Sequence, residues 1–188
     1  MTVLIIGVLT WSLVHFIPTL APSLRQSMTA RLGENGYKGV FSLLILAGLT
    51  LIVIGWRATP EQYLYVLPLW SRSLGFVLMI VSFILLGAAH YPTRIKRIIR
   101  QPMLAGIIVW SISHLLINGT TRAFVLFGGL GLWALLEIIL INRREGPYAK
   151  PEAPPLRSEL RGILISGVVF VVVLFVHPYF TGVTSYPR

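Results

Sequence analysis

The sequence predicts an all-α, polytopic transmembrane bundle of about six helices, and three observations predict it. Hydrophobic residues make up 55% of the 188 positions and charged residues only 12%, against ~25% charged in soluble domains. Mean hydropathy is +0.80. Apolar runs recur along the whole chain, and the basic residues fall in short clusters between them. A chain so poor in charge cannot cover a water-facing surface, so the lipid bilayer is its expected partner.

Crossing a ~30 Å hydrocarbon core as helix takes ~20 mostly apolar residues. Six runs approach that length, at about 2–21, 39–56, 73–89, 102–118, 121–141 and 162–176. The first has no basic residue ahead of it, contains Trp11, Ser12 and His15, and lacks a small-residue cleavage pattern, so it reads as a retained helix and not a signal peptide. Residues 58–70, bracketed by Pro60 and Pro68 and holding Tyr63 and Tyr65, are too short to span and read as an interfacial segment with aromatic anchors. The hinge Asn118-Gly119-Thr120-Thr121 makes the fourth and fifth helices antiparallel neighbours. Gly128, Gly129 and Gly131 let a helix, or less readily a flat ligand, approach the fifth helix closely.

Charge sets the expected orientation. With the N-terminus outside, the connections facing the cytoplasm hold Arg25, Arg31 and Lys38; Arg94, Lys96, Arg97 and Arg100; and Arg143, Arg144, Lys150, Arg157 and Arg161. These are twelve of the 16 Lys and Arg, and Arg57, Arg72, Arg122 and Arg188 remain on the outer side. The positive-inside rule therefore selects N-out and C-out. Residues 142–160, with Pro147, Pro151, Pro154 and Pro155, read as a cytoplasmic Pro-rich loop within a single transmembrane domain, 1–188. The net charge of +10 is explained by lipid headgroups and topology, not by nucleic acid.

Chemistry has few carriers. The absence of Cys excludes disulfides, thiol catalysis and iron–sulfur ligation, and no phosphate-binding loop, dinucleotide fingerprint or nucleophile elbow occurs. Titratable side chains at membrane depth mark function by default. His114 falls near mid-membrane, and His15, on the descending first helix, at similar depth but nearer the cytoplasm. Two such imidazoles are the usual trace of axially ligated haem between helices, weighed evenly against two hydrogen-bonding core histidines. Glu137 is expected to pair with Arg97, Arg143 or Arg144 rather than to handle protons. His90 and His177 read as helix-end residues. Arg97 and Arg100, in the cluster that sets topology, could also meet haem propionates.

The pattern Arg100-Gln101-Pro102-Met103-Leu104-x-Gly106, then Trp110, then His114-Leu115-Leu116-x-Asn118-Gly119, resembles the signature of the NnrU family. So do Leu32-Gly33-Glu34-x-Gly36-Tyr37-Lys38-Gly39 with Ser42 and Leu43, and His15 followed by Ala21-Pro22-x-Leu24-Arg25. The resemblance runs to about Arg144. It implies a bacterial inner-membrane protein linked to nitrite and nitric oxide metabolism. It also implies kinship with zeta-carotene isomerase, a membrane haem b enzyme that isomerises a polyene. On that resemblance the two axial ligands fall on His114 and His15. Two positions depart from the family pattern: Gln101 stands where the motif usually has His, and Thr120 where relatives often carry Asp. The resemblance thus implies haem b with isomerase chemistry on a polyene or isoprenoid, or a role in nitric oxide metabolism. The alternative is a non-enzymatic assembly, transport or regulatory factor for denitrification enzymes.

Overall fold

The computed structural model describes residues 1–182, and Arg188 lies outside them. Six helical segments follow in order: α1 (Thr2–Leu20), α2 (Pro22–Ala58), α3 (Leu69–Ala88), α4 (Pro102–Ile117), α5 (Thr121–Glu145) and α6 (Leu156–Thr181). All but α4 are long and apolar enough to cross a membrane. At 16 residues, α4 spans ~24 Å. Leu43 and Leu164, each 68% exposed, typify the outer surface, which is apolar as a lipid-facing surface must be. The architecture is the expected multi-pass all-α bundle.

Two antiparallel hairpins form the frame, α1 with α2 and α3 with α4. In lipid no hydrophobic force drives helices together, so close backbone approach and interhelical hydrogen bonds do that work. Gly7 and Gly55 bring the α1 and α2 backbones together: a Cβ on Gly7 would sit 2.6 Å from the Ile52 nitrogen. Across α3 and α4, the Ser82 hydroxyl donates to the Gly106 carbonyl at 2.8 Å and the Ser113 hydroxyl to the Gly75 carbonyl at 2.6 Å. Helix α6 packs on α3 through Phe170, whose ring meets Phe76 and Phe83 at 5.7 and 5.2 Å.

Helix α5 packs against both α1 and α4. Two of its three glycines take helices: a Cβ on Gly129 would meet Val8 of α1 at 2.7 Å, and one on Gly131 would meet Ser111 of α4 at 3.0 Å, whereas one on Gly128, against expectation, would meet nothing within 4 Å. Between an opening turn, Thr121–Ala123, and the regular helix Gly129–Glu145 lies a π-helical turn, Phe124–Gly128. Such wide turns shift the register of side chains and recur at functional sites.

Three boundaries differ from the sequence expectation. Helix α2 begins at Pro22, so the basic connection after α1 is helical, with Pro at its first turn where no N–H is missed. Its two arms meet at Gly33, where φ is 73° and ψ 167°, a conformation open essentially to glycine alone. Helices α5 and α6 each extend into the 142–160 segment, leaving residues 146–155 between them.

The 59–68 segment is pinned to the α4–α5 hinge. Tyr63 and Thr120 form an antiparallel bridge, the Leu64 N–H donates to Gly119 at 2.8 Å, and the Tyr65 hydroxyl to Leu115 at 2.8 Å. Beside it Arg122, 9% exposed, lies 4.3 Å over the Trp56 ring, donates to the Trp56 and Thr59 carbonyls, and pairs with Glu61.

Replacing Gly33 with Ala should cost ~1–3 kcal/mol through its backbone conformation alone, because no neighbour crowds the position. Replacing Gly131 with Leu should cost a similar ~1–3 kcal/mol by overpacking against α4. Unfolding midpoints in detergent check both.

Candidate functional site

On α1, Trp11, His15 and Thr19 recur every four residues and so share one face. On α5, Trp133 and Glu137 do the same, and the two faces meet. The His15 ring centroid lies 4.5 Å from Trp11, 4.8 Å from Trp133 and 5.7 Å from Phe41 of α2. One turn along, the Thr19 hydroxyl donates to the Glu137 carboxylate. Glu137 is 7% exposed. The expected pairing with Arg97, Arg143 or Arg144 is therefore corrected: among the described residues its partner is a threonine on another helix. Arg144 is occupied elsewhere, by the Pro18 carbonyl at 3.2 Å and Glu145 at 3.4 Å.

His114 lies one turn before the end of α4. It stacks on Phe127, in the π turn of α5, at 4.1 Å and 20°, and its centroid is 4.7 Å from Trp110. His177 of α6 comes within 6.4 Å. His177 lies about one turn before the end of α6, which closes at Thr181, so it is near the helix end as expected and also faces His114. His90 lies exposed, two residues beyond α3.

The two candidate histidines share one device. His15 Nδ1 lies 2.8 Å from the Trp11 carbonyl oxygen, and His114 Nδ1 2.9 Å from that of Trp110. A carbonyl only accepts, so each Nδ1 carries the proton and donates it. Each neutral ring then keeps its lone pair on Nε2. Metal-binding histidines are prepared in this way, with the second nitrogen fixed by a carbonyl or carboxylate.

The two imidazoles contact the same helix at different heights. His15 meets α5 at Trp133 and His114 meets it at Phe127, six residues or ~9 Å apart along the helix. Arg100 stands before the opposite end of α4 from His114, ~20 Å away along the axis. It donates to the Gly146 carbonyl and Glu145, each at 2.7 Å, and lies 5.2 Å over the Tyr148 ring. Arg97 is exposed on the 3₁₀ turn Arg94–Arg97.

The donor chemistry fits haem iron better than a bare ion. Among the described residues no group of three or more His or acidic side chains could hold a metal, whereas a haem brings its equatorial ligands and asks the protein only for axial ones. The indole nitrogens of Trp11 and Trp133, Ser111 Oγ and Glu137 Oε2 are buried without hydrogen-bond partners, so the interior between α1, α4 and α5 holds polar capacity that the chain itself does not use.

The family model described as NnrU protein matches residues 3–185. No curated protein and no solved structure matches the chain. With the match covering nearly its whole length, this multi-pass helical chain belongs to the NnrU family.

Proposed function

We propose that the chain is a haem b-binding protein of the bacterial inner membrane, with His15 and His114 as the residues that hold the iron. The observation that carries this reading is the matched pair of Nδ1-to-carbonyl hydrogen bonds, which leaves an Nε2 lone pair on each of two intramembrane imidazoles. Bound haem supplies an iron coordination site for a polyene or isoprenoid double bond undergoing isomerisation, or for nitric oxide. The chain's own residues fix the ring tautomers through the Trp11 and Trp110 carbonyls. Trp11, Trp133, Trp110 and Phe127 keep water from the imidazoles, and a bundle open to lipid suits a long apolar substrate.

A second reading has its own support. Each imidazole is packed on an aromatic ring of α5, His15 on Trp133 and His114 on Phe127. That packing favours a non-enzymatic membrane factor serving denitrification enzymes, in which both histidines are structural.

A visible spectrum of detergent-purified protein from haem-replete cells separates the two. The haem reading expects a Soret band, with α and β bands on reduction. His114→Ala should abolish or shift them, and His15→Ala should shift them while leaving the fold intact by circular dichroism. Colourless wild-type protein overturns the haem reading and leaves the second.

A further inference from the structure

A cavity of about 270 Å³ opens where α1 ends and the two arms of α2 meet, lined by Pro18, Arg25, Tyr37, Lys38, Phe41 and Ser42. Its construction follows from the backbone. Arg25 belongs to the arm before Gly33, and Tyr37, Lys38 and Phe41 to the arm after it. The glycine break at φ 73° folds the first arm over the second, and the Arg25 guanidinium comes to 5.7 Å from the Tyr37 ring. Arg144 of α5 donates to the Pro18 carbonyl at 3.2 Å and pairs with Glu145 at 3.4 Å, which ties α5 to this end of α1. Glu34 pairs with Lys38 at 3.4 Å, and both are well exposed, so water screens that pair. Tyr37 is 7% exposed, and its hydroxyl is buried without a hydrogen-bond partner.

We propose that this cradle binds the phosphate headgroup of an anionic membrane lipid. Two lining cations, Arg25 and Lys38, and an unspent phenolic donor match the charge and acceptor oxygens of a phosphodiester, and guanidinium suits phosphate geometry. The surroundings select a lipid over a free ion. Pro18 and Phe41 give the cavity an apolar wall, and Leu20 and Leu24 beside it are 60% and 48% exposed, a surface that an acyl chain covers and inorganic phosphate does not. The wall also touches the candidate site, because the Phe41 ring stands edge-on to His15 at 5.7 Å. A lipid seated here would buttress the α1 face that carries the histidine.

The test is thermal unfolding of the full chain in detergent micelles, doped in turn with phosphatidylglycerol, phosphatidylcholine or inorganic phosphate at equal concentration. A ligand that binds only the folded state raises the midpoint. Phosphatidylglycerol should raise it and the other two should not. The double variant Arg25→Gln/Lys38→Gln should lose at least half of that rise. The milder Tyr37→Phe, which keeps the ring, should lose a smaller part, and Arg94→Gln/Arg97→Gln, on another basic turn, should lose none. An equal rise with inorganic phosphate overturns the lipid assignment. A rise undiminished in Arg25→Gln/Lys38→Gln and in Tyr37→Phe overturns the site.

Discussion

The arrangement rests on the packing of α5 between α1 and α4. In a bilayer two helical hairpins gain little by merely adjoining, so a third element must fit both closely. Gly129 admits Val8 and Gly131 admits Ser111, which lets α5 approach each neighbour at short range. Trp133 and Phe127 then fall against His15 and His114. Arg122 ties the same helix to the end of α2 through Trp56, Thr59 and Glu61. The π turn sets the register between Arg122 and Gly129, and so decides which aromatic ring meets His114.

Most of the fold was legible in the sequence because membrane helices announce themselves by length and apolarity. Six runs, the antiparallel hinge at 118–121 and close helix approach at Gly129 and Gly131 all follow from that logic. The breaks were not legible at the same level. Pro22 and Gly33 lie between the predicted runs 2–21 and 39–56, yet α2 begins at the first and bends at the second, because Pro costs nothing at a first turn. The π turn left no sequence signal at all. The aromatic anchors of 59–68 were visible, but their pairing with Gly119 and Thr120 depends on a tertiary contact.

The site was legible as a set of residue types and less so as an arrangement. His15 and His114 stand out because titratable groups are rare in apolar helices. Their i−4 carbonyl partners are implicit in helical geometry. The partner of Glu137 was not, since Coulomb reasoning points to an arginine while Thr19 on α1 lies on the facing stripe. His177 was read as a helix-end residue, and only the packing of α6 brings it near His114. Gly33 joins these threads: by folding Arg25 over Tyr37 it builds a basic cradle whose far wall, Phe41, touches His15.

The central physical claim is that both intramembrane imidazoles carry their proton on Nδ1 and present Nε2. Nitrogen-15 NMR of histidine-labelled protein without added haem reads this directly, since the chain has only four His and His15→Ala and His114→Ala variants assign the signals. Two neutral rings protonated at Nδ1 are expected at positions 15 and 114. Protonation at Nε2 in either ring would mean that its carbonyl bond does not form, and the proposed ligand set would fail.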